Sequence, residues 1–271
     1  MSQADATSVI DDRADPRLRK VVEILKGKNK GSRAIIIDDE ENILEALRND
    51  VHLFTVFLTE NEELSEEILD LLPAETDVQD MSVRVSKELF GVERRSRVFA
   101  LARRPRPWSL PDLLDLPGDV IVLDGVRLMG NIGAIARTTK ALGFAGIVLL
   151  DSALASVTDR RLIRASRGMV FSLPIALSTA EELVPELTGR GIRIVSLEPR
   201  VETPLADIAD IDGRIAMLLG SEKHGPSPAL TQAADHRVTI DIHPDVESLN
   251  VSVSAALAMY QRRASNPLPP R

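Results

Sequence analysis

The sequence predicts an α/β protein of two domains, and three observations carry that prediction. Short apolar runs such as Ala34 to Ile37, Val120 to Leu123 and Ile215 to Leu219 alternate with stretches whose apolar residues recur every three or four positions. This is the pattern of buried strands joined by helices. Two prolines in Arg103-Arg104-Pro105-Arg106-Pro107-Trp108 deny helix and ladder bonding alike, so this segment reads as a linker. A chain of 271 residues that is 44% hydrophobic has enough apolar material to fill two cores.

In the first half, Leu18, Val21, Val22 and Leu25 fall on one face of a helix that starts at Pro16 and is ended by Gly27. Ala34 to Ile37 then reads as a strand, Glu41 to Arg48 as a helix, Leu53 to Leu58 as a strand, and Glu62 to Leu72 as a helix closed by Pro73. Thr76 to Gln79 is a short strand, Ser86 to Phe90 a helical turn and Val98 to Ala102 a last strand. In the second half the strands are Val120 to Leu123, Gly146 to Leu150, an entry around Ser172 to Leu177, Arg193 to Leu197, Ile215 to Leu219 and Arg237 to Ile240. Helices are read from Asn131 to Leu142, Asp159 to Ser166, Thr179 to Thr188 and about Leu249 to Arg263. Strands that alternate with helices imply a parallel sheet. The expected division is a flexible arm over 1–15, a first domain over 16–104, a linker over 105–116, a second domain over 117–265 and a disordered tail over 266–271.

Composition narrows the chemistry. The sequence has no cysteine, which removes disulfides, thiolate nucleophiles and cysteine-based zinc sites. Its four histidines show no helical ligand spacing, so no metal site is expected. No apolar run approaches the length of a membrane span, and residues 1–15 are polar and acidic without a signal-peptide core, so a cytoplasmic protein away from membranes is expected. The net charge of -8 argues against a nucleic-acid partner only as an average. Between Arg13 and Arg33, eight basic residues stand against two acids, and the same ratio recurs between Arg84 and Arg106. The compensating acids lie in Asp38 to Glu41 and Glu60 to Glu67, so the first domain is read as having a phosphate-facing side.

Ligands of α/β sheets bind at the carboxyl ends of the strands, and the unusual residues of the second half gather there. Asn131-Ile132-Gly133-Ala134-Ile135-Ala136-Arg137-Thr138 follows the strand that ends near Asp124. Gly220-Ser221-Glu222-Lys223-His224-Gly225-Pro226-Ser227 follows the Leu219 strand, and Ser248-Leu249-Asn250 follows the Ile240 strand. The glycines match neither the G-x-G-x-x-G fingerprint nor a P-loop, which weakens dehydrogenase and NTPase readings. Three strand ends thus point to one site.

These three segments, in this order and spacing, resemble the signature motifs of the SpoU/TrmH branch of the SPOUT methyltransferases. Gly118 to Val126, Asp159 to Gly168, and Glu93-Arg94-Arg95 leading to Ala102 through Pro107 are similar to the thiostrepton and nosiheptide resistance enzymes of that branch. The resemblance covers nearly the whole chain and is loosest before about residue 30. It implies a trefoil-knotted second domain that forms a homodimer, joined to an α/β domain like those of ribosomal RNA-binding proteins. The implied activity is S-adenosylmethionine-dependent 2′-O-methylation of one adenosine ribose in the thiopeptide-binding, GTPase-associated region of 23S rRNA. The alternative is the same chemistry on tRNA or another rRNA site.

The resemblance also implies site residues. Leu197, Gly220, Ser221, Ile240, Ser248 and Leu249 would hold the cofactor. Arg137, Glu222, Asn250, Asn131 and Ser248 would carry the reaction. A guanidinium keeps its proton at any ordinary pH, so Arg137 suits stabilisation of a developing alkoxide and a grip on phosphate better than proton abstraction. Glu222 would hold Arg137 or the ribose, Asn131 and Asn250 would orient the hydroxyl, and Ser248 would brace the cofactor loop. Arg94 and Arg95, together with Arg160, Arg164 and Arg167 on one helix face, would contact RNA. Asn131 has an alternative reading as a helix N-cap, while His224 reads as a tolerated loop residue and Trp108 and Tyr260 as packing residues.

Overall fold

The computed structural model describes residues 8–27, 32–91, 96–221 and 224–264, which fall into two units spanning Met1–Arg106 and Pro107–Arg271. In the first unit a 3-10 turn at Pro16–Leu18 leads into α1 (Arg19–Leu25). There follow β1 (Ala34–Asp38), α2 (Glu40–Arg48), β2 (Leu53–Thr59), α3 (Glu66–Leu71), β3 (Asp77–Met81), α4 (Val83–Phe90) and β4 (Val98–Arg103). The strands lie in the order β1-β4-β2-β3, with β4 antiparallel to β1 and β2, and β2 parallel to β3. Phe57 stacks on Phe99 at 4.7 Å, and Phe90 meets the same ring edge-on at 4.9 Å. These rings centre the core that α1 and α4 cover.

Three details depart from the expected layout. Ile10, within the expected flexible arm, is fully buried; its N–H donates to Asp80 O at 2.8 Å and its carbonyl accepts from Ser82 N at 2.9 Å. Packed chain therefore begins well before Pro16; residues 1–7 and 265–271 lie outside the described residues. The expected helical turn at Ser86 is a full two-turn helix, because Ser82 caps α4 from four residues upstream by accepting from Val85 N. The expected linker over 105–116 contains α5 (Leu110–Leu114), capped by Ser109, whose Leu110, Leu113 and Leu114 are buried in the second unit's core. Proline at the second position of α5 lies in the first turn, where no helical N–H is lost, which is why the prolines obscured this element.

The second unit continues with β5 (Val120–Asp124), α6 (Met129–Ala141), β6 (Gly146–Leu150), α7 (Arg160–Ala165), β7 (Ile175–Ser178) and α8 (Ala180–Gly189). It ends with β8 (Arg193–Leu197), β9 (Ile215–Gly220), α9 (Pro228–Gln232), β10 (His236–Val238) and α10 (Val251–Ala264). Its six strands are all parallel in the order β10-β8-β9-β5-β6-β7. β5, β6 and all of β9 but its last residue are buried along their length, as a sheet covered on both faces requires.

One buried ion pair fixes the last helix to this sheet. Arg262 of α10 donates from Nε to Asp119 Oδ2 at 2.9 Å, and the two side chains are 7% and 11% exposed. Its other nitrogens donate to the carbonyls of Ile208 (3.1 Å), Ile211 (2.6 Å) and Gly213 (2.6 Å). Asp119 Oδ1 meanwhile accepts from Ile215 N at 2.8 Å, so one carboxylate joins the start of β5, the start of β9 and the end of α10. Next to it, Arg263 donates to Leu142 O at 2.6 Å and to Gly143 O, and lies over the Phe144 ring. Arg262→Ala would strand a buried carboxylate and three carbonyls, so it is expected to cost about 3–5 kcal/mol of stability. Urea denaturation measures this, and a loss under about 1 kcal/mol would show that the pair is structurally dispensable.

Candidate functional site

The end of β9 is built for close backbone approach. A Cβ on Gly220 would lie 1.9 Å from Gly225 C and 2.0 Å from Pro226 N, so only glycine admits the returning chain. The chain returns because Ser221 O accepts from Gly225 N at 2.8 Å, Ser221 Oγ accepts from His224 N at 3.3 Å, and Gly225 adopts a φ of +65°. Asp124, buried at the end of neighbouring β5, fixes the far side of this turn by accepting from Ser227 N at 2.7 Å. Sequence reading placed Asp124 at a strand end and gave it no role. Glu222 lies outside the described residues.

Beside this turn is a cavity of about 580 Å³ at the carboxyl ends of β8, β9 and β10. Leu197, Gly220, Ser221, Ile240, Ser248 and Leu249 all line it, so the six residues expected at the cofactor come together. Ile240 reaches the cavity from the loop after β10, which ends at Val238 and is held by Thr239 N donating to Thr203 O at 2.9 Å. Apolar walls from Leu197, Leu219, Ile242 and Val251 alternate with a few polar groups, the composition of a small-molecule pocket. His224, read as a tolerated loop residue, lines it too.

Glu198 and Glu247 also line the cavity, and sequence reading missed both. Glu198 Oε1 is buried without a hydrogen-bond partner among the described residues and forms an ion pair with Arg237 at 3.8 Å. A carboxylate on a residue that lines a cavity is suited to a hydroxyl or cationic group of a ligand. Leu197 came from the family resemblance; the strand-end rule, applied to β8, reaches Glu198 as the next residue.

Of the remaining predicted residues, Asn131 and Arg137 are carried on α6, Arg160 and Arg164 on α7, and Asn250 directly precedes α10. Asn250 Nδ2 donates to Asn131 Oδ1 at 3.1 Å, while Asn250 Oδ1 accepts from Ser252 N at 2.8 Å and Ser252 Oγ at 2.6 Å. Asn250 is thus the residue that caps α10, adjacent to Leu249 in the cavity wall. Asn131 is not a cap: α6 begins at Met129 with Leu128 before it. Arg137 is six residues further along α6, about 9 Å by helical rise. It is exposed and forms no hydrogen bond or ion pair among the described residues, and neither it nor Asn131 lines the cavity.

α7 carries Arg160 and Arg164 and packs tightly on α6, because a Cβ on Gly133 would fall 2.3 Å from Ala165 C. Asp159 caps α7 by accepting from Arg161 N at 2.9 Å. Burial opposes ionisation of Asp159, but hydrogen bonds from the Arg161 side chain and backbone, with its charge, outweigh it and hold this carboxyl below the usual range. Arg167 does not share a helix face with Arg160 and Arg164: α7 ends at Ala165, and Arg167 has a φ of +52°. Arg94 and Arg95 lie outside the described residues. Trp108 and Tyr260, expected to be packing residues, are 42% and 71% exposed.

Comparison with known proteins agrees with both halves of the chain. Residues 119–260 match the SpoU rRNA methylase family, and residues 7–116 match the N-terminal region of thiostrepton-resistance methylases. The chain is 40% identical to a 23S rRNA (adenosine(1067)-2′-O)-methyltransferase of Streptomyces laurentii, covering 97% of this chain and 98% of that one. Identity to the enzyme of the same name from Streptomyces azureus is 37%, over 92% and 93% of the two chains. Among solved structures, an RNA 2′-O ribose methyltransferase superposes with a TM-score of 0.80 at 26% identity, covering 96% of this chain and all of that one. The SpoU methyltransferase AviRb of Streptomyces viridochromogenes, solved with AdoMet, shares the fold at a TM-score of 0.77 and 23% identity, covering 92% and 97%.

Proposed function

Because this chain belongs to the SpoU rRNA methylase family and carries the N-terminal region of the thiostrepton-resistance methylases, we propose that it 2′-O-methylates an adenosine ribose of 23S rRNA. The target is placed in the GTPase-associated, thiopeptide-binding region, and the outcome is resistance to thiostrepton-type antibiotics. The observation that carries this reading is the 40% identity to an adenosine 2′-O-methyltransferase along nearly the full length of both chains.

S-adenosylmethionine fits the cavity on the evidence of its walls. The volume is in the range of pockets for ligands of this size, and Gly220 with the turn it admits forms part of its wall. When bound, the cofactor supplies a methyl group on a sulfonium. Leu197, Gly220, Ser221, Ile240, Ser248 and Leu249 would hold it, and Glu198 would offer its buried oxygen to a polar group of the ligand.

The chain's own residues then position and stabilise. The Asn131–Asn250 pair would present the ribose hydroxyl, Ser248 would brace the loop, and Glu222 would hold Arg137 or the ribose. Arg137 would meet the developing oxyanion and grip the adjacent phosphate, which its exposure permits. Arg94, Arg95, Arg160, Arg164 and Arg167 would contact the RNA, with the first unit as recognition domain. The family resemblance supports a knotted second unit, a cytoplasmic location and a homodimer. An exposed stripe on α10 supports the dimer as well: Val253, Leu257 and Tyr260, at 47%, 44% and 71% exposure, share one helix face.

Transfer of labelled methyl to an rRNA fragment is expected and should vanish when the target adenosine is 2′-deoxy; persistence on the deoxy fragment would sink the ribose assignment. Arg137→Ala is expected to lower transfer by about a hundredfold or more with cofactor Kd nearly unchanged, the size of loss seen when an oxyanion donor is removed. A matching loss of cofactor affinity by calorimetry would contradict that role. Light scattering should give twice the chain mass of 29.6 kDa, and a monomer mass at micromolar concentration would overturn the dimer.

A further inference from the structure

Part of the basic surface expected on the first unit comes together at one end of its sheet. Backbone pairing brings three chain segments together there: Arg104 N donates to Arg33 O at 2.7 Å, Arg103 N donates to His52 O at 2.8 Å, and Arg103 lies opposite Ala34. Arg33, His52, Phe54, Arg103 and Arg104 are thereby gathered where β1 and β2 begin and β4 ends. The register of β2 on β4 shifts between Leu53 and Thr55, so Phe54 is the extra residue of a bulge, a device that re-aims a side chain. Phe54 is 37% exposed, and its ring meets that of the exposed His52 edge-on at 5.1 Å.

The pairing of cations varies across the unit. Arg17, Arg48, Arg84 and Arg97 each hold a carboxylate. Arg33, Arg103 and Arg104 have no carboxylate partner among the described residues, and Arg104 Nε is buried without a hydrogen-bond partner among them. Near the start of β4, Asp39, Glu40, Glu62 and Glu63 surround a cavity in which Arg97 pairs with Glu62.

Resting on the function proposed above, we propose that this end of the first unit's sheet is a platform for a single-stranded stretch of the RNA substrate. Arg33, Arg103 and Arg104 would neutralise consecutive phosphates, and the His52–Phe54 pair would receive an unstacked base. Cations without carboxylate partners beside an exposed ring are the combination that single strands need. A duplex has no free base face to offer the ring, and a protein partner would gain nothing from a row of unneutralised arginines unless it were acidic.

The test uses the full chain and a fluorescent rRNA fragment containing the target loop, with Kd read by anisotropy across a salt series. Phe54→Ala is expected to weaken binding about tenfold and Phe54→Trp to retain it, as stacking would require. The double variant Arg33→Glu, Arg103→Glu should weaken binding and flatten the slope of log K against log salt by about 1.4, two single-strand phosphate contacts. An unchanged thermal midpoint confirms that the variants are folded, and Arg103→Gln provides a milder change with the same expected direction. Unchanged Kd and slope in folded variants overturn the platform, as does a duplex competitor that displaces the fragment as well as a single strand does. A wild-type protein that binds through Phe54 and Arg103 yet methylates no fragment would keep the platform and overturn the proposed activity.

Discussion

The position of α10 depends on the buried pair between Arg262 and Asp119, and the site depends on the position of α10. Four donations from one guanidinium seat the carboxyl end of the helix against the starts of β5 and β9. Fourteen helical residues, about 21 Å of rigid rise, carry that anchorage to Asn250 at the other end. There Asn250 caps the helix, meets Asn131 and adjoins the cavity wall. Burying two charges is costly, and here the cost is offset because Arg262 also donates to three backbone carbonyls and Asp119 also accepts from Ile215 N. The polar residues of the site are thus held by a structural ion pair at the far end of a rod.

A second constraint acts through missing side chains. Gly133 lets α6 sit directly on α7, and Gly220 lets the turn after β9 fold onto its own strand. Arg137 and the arginines of α7 are therefore carried on two helices whose spacing is set by backbone contact. Side chains between them would have repacked; backbone in contact with backbone has little room to do so.

Much of this was legible because the strands are short, apolar and bounded. β1, β5, β6, β8 and β9 begin and end within a residue or so of the apolar runs, and the strand-end rule led directly to the cavity. What escaped was local or long-range. α5 hid behind prolines that suit a first turn, and Asn131 looked like a cap because helical signals do not reveal that a helix begins two residues earlier. Arg167 falls off the α7 face because the helix stops at Ala165. Asp124, Glu198 and the Phe54 bulge derive their roles from neighbours distant in sequence, and no spacing pattern encodes those. The fully buried Ile10 was missed for the same reason: its partners are Asp80 and Ser82.

The seating of α10 has a kinetic side. Its anchoring bond to Asp119 spans 143 residues of chain, and the Asn250–Asn131 bond spans 119. Contacts of such separation must overcome the loop-closure entropy of everything between them, and they slow folding in proportion to how much of the native state relies on them. The sheet can assemble from neighbouring strands without either bond. A chain interrupted after β10 would keep the strands that floor the cavity and lose both the lock and the amide pair. Completion of the site and closure of the fold are consequently one event, so partly folded molecules would hold a pocket without the residues that give it a purpose.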